Sequence, residues 1–159
     1  MRKPRIYLDT SVVSHLEAQD VPDKMSDTLK FWQQAQEEMY EIYSSYLMLE
    51  EISRCSEPKL TSMYKHLNNI TFNLIEAIST EAEFIANEIV RLNILTEKRR
   101  DDCTHIGLAV ANECDIIVSW NFKHMVNVRT INGVRGINAI NGYRSIDIYS
   151  PTVLLKEHA

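Results

Sequence analysis

Asp9, Glu51 and Asp102 are acidic residues from three distant segments, each set where a strand or helix end can carry it into one site. Asp9 closes the apolar run Ile6-Tyr7-Leu8 and precedes Thr10-Ser11-Val12-Val13, a strand-to-helix junction. Glu51 lies within Ser45-Tyr46-Leu47-Met48-Leu49-Glu50-Glu51-Ile52, and Asp102 opens the helical run that continues through Cys103-Thr104-His105-Ile106. Carboxylates gathered this way repel one another unless a cation lies between them. An all-oxygen donor set of this kind suits Mg²⁺ or Mn²⁺. The chemistry implied is metal-dependent hydrolysis of phosphodiesters.

Positioning such residues requires a framework, and the pattern of the chain supplies one. Short strand-like runs near 5–8, 40–44, 70–74, 115–119 and 145–149 alternate with helical stretches. Ser26 is a candidate cap for a helix carrying Leu29, Phe31, Trp32, Ala35 and Met39; Thr80 and Glu83 form a candidate capping box. Leu60, Met63, Tyr64 and Leu67 give Lys59 to Leu67 helical spacing. Asp115-Ile116-Ile117-Val118-Ser119 reads as a strand covered on both faces. Alternation of this kind predicts an α/β domain with a mainly parallel sheet, whose sites form beyond the carboxyl ends of the strands. Asp9 and Trp120-Asn121 fall on that edge. Asp115 begins its strand, which puts it ~13 Å away at the opposite edge.

Helical phase selects between neighbouring acids. Glu50 stands one turn before Arg54, as in an exposed ion pair. Glu51 aligns with Leu47 and Cys55 on the inward stripe, where a lone charge needs a partner. Asp102 shares a face with Ile106, Ala109 and Val110, whereas Asp101 is placed to cap the helix. Asp9 is itself a good cap, but Thr10 or Ser11 can cap as well and leave its carboxylate free. His105 reads as a satisfied structural residue, and without a second ligand at suitable spacing zinc has little support. Asn121 is expected to offer a carbonyl oxygen to a metal or its water, or to cap Phe122-Lys123-His124-Met125. Ser119 completes this polar strand end. Lys98, Arg99 and Arg100 adjoin Asp102 and are candidates for holding a phosphate backbone.

At 159 residues and 45% hydrophobic content, one domain spanning 1–159 with a substantial core is expected. Net charge of −5 excludes a generic nucleic-acid coat, so any basic contact must be local. Cys55, Cys103 and Cys114 form no CxxC pair and fit a reduced, cytoplasmic protein. No apolar run approaches the ~18 residues of a membrane span.

Four pieces together resemble a PIN-domain nuclease of the kind found as toxins of type II toxin–antitoxin modules. They are Tyr7-Leu8-Asp9-Thr10-Ser11, Ser45 with Glu51-Ile52, Asp102 with His105-Ile106 and Ala109, and Asp115 through Phe122, in family order. The resemblance implies a three-layer α/β/α fold and metal-dependent cleavage of single-stranded RNA. It also implies a homodimer and often a cognate antitoxin whose tail fills the groove. Asp9, Glu51 and Asp102 match the family's first three acids, and Asn121 stands where a fourth is commonly Asp. That missing charge weakens the case for two metals. Two other readings carry distinct expectations. A haloacid-dehalogenase-like phosphatase would use Asp9 as nucleophile, but Ser11 occupies the place of its second Asp. A non-catalytic PIN-like domain would bind RNA or a protein partner without cleavage.

Overall fold

Strand β1 (Arg5–Leu8) is the centre of the molecule because its residues Ile6, Tyr7 and Leu8 have no solvent exposure. In the computed structural model, which describes residues 2–157, it pairs in parallel with β2 (Glu41–Ser45) on one side and β4 (Ile116–Val118) on the other. Strand β3 (Asn73–Ile75) adds beyond β2, and β5 (Asp147–Tyr149) beyond β4. The order β3-β2-β1-β4-β5 is parallel throughout. The expected "mainly parallel" sheet therefore has no antiparallel member among the described residues.

Alternation along β1 divides the core. Ile6 and Leu8 point to one face, packing with Val12, Phe31, Trp32, Met48, Ile52 and Met63. Helices α1 (Thr10–His15), α2 (Pro22–Gln36), α3 (Tyr46–Ser53), α4 (Lys59–Leu67) and α8 (Pro151–Glu157) supply or flank that side. Tyr7 points to the other face, into a cluster with Ile85, Ile89, Ile106, Leu108 and Ile137. Those residues come from α5 (Thr80–Arg91), α6 (Arg100–Ala111) and α7 (Val128–Asn141). The result is a three-layer α/β/α sandwich. Among the described residues no helix is long and apolar enough to cross a membrane.

Local chemistry moved several expected boundaries. The second helix starts at Pro22, whose fixed φ and missing N–H suit a first turn, so Ser26 is inside it rather than its cap. Ser79, not Thr80, caps α5 by accepting from Ala82 N. Asp115 stays outside β4, held by the Arg5 amide and by the Arg2 and Arg144 guanidiniums. This is the amino edge of the sheet, opposite the acidic residues.

Gly107 sets the position of α6. A Cβ there would lie 2.3 Å from the Ala82 carbonyl oxygen of α5, so only glycine permits the observed approach. Cys103 through Val110 are consequently buried on every side of the helix, between α5 and the sheet. That fixes the start of α6, and with it Asp102, beside the carboxyl ends of β1 and β2.

Candidate functional site

In this sheet the strand order reverses between β1 and β4, and a crevice beyond their carboxyl ends is the expected place for a ligand. Asp9 follows β1, and Ser119, Trp120 and Asn121 follow β4. Glu51 reaches the same edge from α3, which begins directly after β2, and Asp102 reaches it from the first turn of α6.

Asp9 is buried and serves as the N-cap of α1. Its Oδ1 accepts from the Ser11 amide at 2.9 Å and from the Ser11 hydroxyl, and its Oδ2 accepts from Ser119 Oγ at 2.6 Å. The expectation that Thr10 or Ser11 would cap in its place does not hold. The carboxylate is positioned by these hydroxyls rather than left free. Burial raises its pKa above the usual carboxylate range, and His105, Ser11 and Ser119 pull against that without cancelling it.

Thr10, displaced from the capping role, donates to Glu51 Oε1 at 2.8 Å, and His105 Nε2 lies 2.5 Å from the same oxygen. Burial alone would raise the Glu51 pKa, but His105 and Thr10 outweigh it and hold the group below its ordinary value. An ionised carboxylate only accepts, so Nε2 of His105 carries a proton. Nδ1 of His105 contacts the Tyr7 hydroxyl at 2.6 Å, which in turn meets Ser45 Oγ at 2.8 Å. His105 is thus satisfied, as the sequence suggested, yet it also anchors a site residue. Tyr7 and Ser45 were named in the matching pieces but given no role in the site. Strand alternation, which turns Tyr7 toward α6, is the signal that would have found the first of them.

Neighbouring acids behave differently. Glu50 is exposed, and Arg54 pairs with Asp101 at 3.8 Å instead of with Glu50. Asp101 does not cap α6, whose N-cap is Arg99. Because α6 is buried all round, its apolar face cannot by itself distinguish Asp101 from Asp102. The difference lies in their surroundings.

Asp102 is half-buried and has no ion-pair partner among the described residues; the Asn121 amide nitrogen lies 3.5 Å from its Oδ2. Burial first, then the charges of Asp9 and Glu51, push its pKa from 3.8 up to about 6, although His105 and Arg99 act in the opposite direction. The three carboxylates therefore share one electrostatic environment. A chain of contacts joins two of them, from Asp9 through Ser119 and Asn121 to Asp102.

Of the two roles expected for Asn121, the structure shows the cap. Its side-chain carbonyl accepts from the His124 amide at 3.0 Å, capping the turn that follows, and its NH₂ faces Asp102. It is a donor toward the site, not an oxygen ligand. Ser119 is fully buried and spends its hydroxyl on Asp9 and on the Asn121 amide, so it orients protein groups rather than a substrate. Arg100 is also accounted for elsewhere, by Glu97 and Asn87. Lys98 and Arg99 remain exposed and line a groove of about 330 Å³ with Lys123, His124, Arg129 and Thr130. Partial burial, then Arg99 and Lys123, hold the His124 pKa below its ordinary value. Folding gathers Lys123 and Arg129 with Lys98 and Arg99 in one groove.

Among the described residues no three His, Cys, Asp or Glu side chains already stand together as a ligand group. The donor chemistry nonetheless fits a hard divalent cation. Asp102 lacks a cationic partner, and Glu51 Oε2 accepts no hydrogen bond among the described residues. Cys55, Cys103 and Cys114 are free thiols, and burial pushes Cys103 to about 11 and Cys114 to about 12. Those two are inert, and they lie in the core cluster on the Tyr7 face of the sheet.

The fold and the site together define an α/β/α sandwich with acidic residues near the switch point of a parallel sheet. No protein-family model matches the chain, and no curated protein matches it in sequence.

Proposed function

We propose that this chain is a PIN-like, divalent-metal-dependent endoribonuclease that cleaves single-stranded RNA, of the kind that acts as the toxin of a type II toxin–antitoxin module. One observation carries the reading: at the switch-point edge Asp102 is half-buried without an ion-pair partner among the described residues, within electrostatic reach of Asp9 and Glu51. A bound Mg²⁺ or Mn²⁺ would supply Lewis acidity, polarising a phosphate oxygen and lowering the pKa of a water.

Asp9, Glu51 and Asp102 would hold that ion. Ser11 and Ser119 fix the Asp9 carboxylate, while Thr10 and His105 fix Glu51, so the donors need little reorganisation. The Asn121 NH₂ is placed to donate to a phosphate oxygen near Asp102. Lys98, Arg99, Lys123 and Arg129 would take the backbone without reading its sequence. A phosphatase with Asp9 as nucleophile is less well supported, because Ser11 stands where its second Asp would be.

A non-catalytic RNA-binding or partner-binding role draws support from Asn121, whose carbonyl is taken by His124 and which adds no charge. Homodimerisation and a cognate antitoxin rest on the resemblance. A cytoplasmic location is supported by the free thiols.

Cleavage of a labelled single-stranded RNA, in Mg²⁺ or Mn²⁺ against EDTA, tests the proposal. Glu51→Gln should lose cleavage while exposed Glu50→Gln keeps it. RNA binding without cleavage in wild type would favour the non-catalytic reading, and neither binding nor cleavage would overturn both.

A further inference from the structure

Phe122 is an exposed aromatic ring held on a rigid turn directly beside Asn121. Its side chain belongs to a residue 46% exposed, yet the backbone carrying it is pinned from several directions. The Met125 and Val126 amides both donate to the Asn121 carbonyl, and Asn127 Nδ2 donates to the carbonyls of Phe122 and Lys123. Thr130 Oγ1 holds the His124 carbonyl at 2.8 Å. An apolar ring is thus kept in water with little freedom to fold away.

Beneath it the neighbouring aromatics are fixed. Trp120 is buried, donates from Nε1 to Thr28 Oγ1 at 2.8 Å, and stacks on His15 with ring centroids 5.5 Å apart. Phe122 meets Trp120 edge to face at 6.0 Å. Lys24, in the first turn of α2, places its ammonium 5.1 Å from the Phe122 centroid and 5.5 Å from that of Trp120. An aromatic surface and a cation therefore stand together next to Asn121. The groove lined by Lys98, Arg99 and Lys123 also begins at this turn, since Lys123 follows Phe122 directly.

We infer that Phe122 is a stacking platform for one unpaired nucleobase beside the proposed acidic site, with Lys24 taking the adjoining phosphate. The inference rests on the RNA reading and deepens it. A base paired in a helix keeps its faces covered by its neighbours, so this platform selects single-stranded substrate. The groove and Lys24 would hold phosphates to either side of the reacting one. Stacking tolerates any base, because every base has a π-face.

Fluorescence anisotropy with a labelled single-stranded RNA, in Ca²⁺ to hold the site charge without relying on Mg²⁺, measures the effect. Phe122→Leu should weaken binding on the order of 10-fold, and Phe122→Trp should preserve it. Lys24→Gln should flatten the slope of log K against log salt by about 0.7, the value of one single-strand phosphate contact. An abasic residue scanned along the RNA should weaken wild type at one position and cost nothing more there in Phe122→Leu. Equal affinity of wild type and Phe122→Leu, or abasic penalties the same in wild type and Phe122→Leu, would overturn the platform while leaving RNA cleavage intact. A changed oligomeric state in Phe122→Leu with unchanged RNA affinity would also overturn it, assigning the ring to a protein contact. Failure of wild type to bind RNA at all would remove the underlying reading instead.

Discussion

Asp102→Asn should stabilise the metal-free protein at alkaline pH, although it removes a proposed ligand. In the folded chain Asp102 titrates at about 6, against an ordinary 3.8. Its folded pKa lies above the unfolded one, so the folded state binds the proton more tightly between those values. The associated stability is fully present below 3.8 and is lost as pH rises through about 6. At 1.36 kcal/mol per pKa unit the loss approaches about 3 kcal/mol, and solvent around this half-buried group reduces it to about 1–2 kcal/mol. Asparagine mimics the protonated form and escapes the loss. It also forfeits a favourable charge in the first turn of α6, worth about 0.3–1 kcal/mol. The net expectation at pH 8 is a gain of about 1 kcal/mol, or roughly 2–4 °C in Tm. Urea titrations in EDTA at pH 4, 6 and 8, followed by tryptophan fluorescence, measure it. The advantage of the variant should shrink steadily toward pH 4. Mn²⁺ at ten times its Kd should then add about 1.4 kcal/mol to wild type and much less to the variant. A variant less stable than wild type at pH 8 in EDTA would refute the reasoning, because Asp102 would then be a satisfied structural carboxylate.

Gly107→Ala should cost about 1–3 kcal/mol in urea titration, since its new methyl meets the Ala82 carbonyl and must push α6 away from α5. Gly136→Ala, with open space around its Cβ, should be neutral or stabilising in the same assay. Asn121→Asp sets a fourth carboxylate against Asp102; calorimetry should show a tighter second Mn²⁺ without movement of the first. Unchanged stoichiometry and affinity would remove Asn121 from the metal's surroundings.

Strands β1 and β4 were legible as short, mostly apolar runs, and the alternation of strands with helices set the class. Helix α4, Lys59–Leu67, was legible from its spacing alone. Glu51 and Glu50 were separable for the same reason: one position on a helix decides between a half-buried and an exposed face. That argument failed at α6, where Gly107 lets the helix sink until no face is exposed along Cys103 to Val110. Asn121 was recognised as a polar group with two open roles, a metal-side oxygen or a cap, between which spacing could not choose. Which way an amide points depends on one amide hydrogen, that of His124, which no spacing rule reveals. The Tyr7–His105–Glu51 chain joins residues far apart in sequence and exists only because β1, α3 and α6 pack together. The pairing of Arg100 was also legible, since Glu97 three residues earlier is the ordinary helical partner.

Crystallography of Mn²⁺-soaked protein, with anomalous data near the manganese edge, tests the central claim most directly. A peak in contact with carboxylate oxygens of Asp9, Glu51 and Asp102, lost in Asp102→Asn crystals soaked alongside, is the expected result. Manganese bound only elsewhere, for instance at Asp115 on the opposite edge, or no peak in well-ordered crystals of active protein, would contradict it.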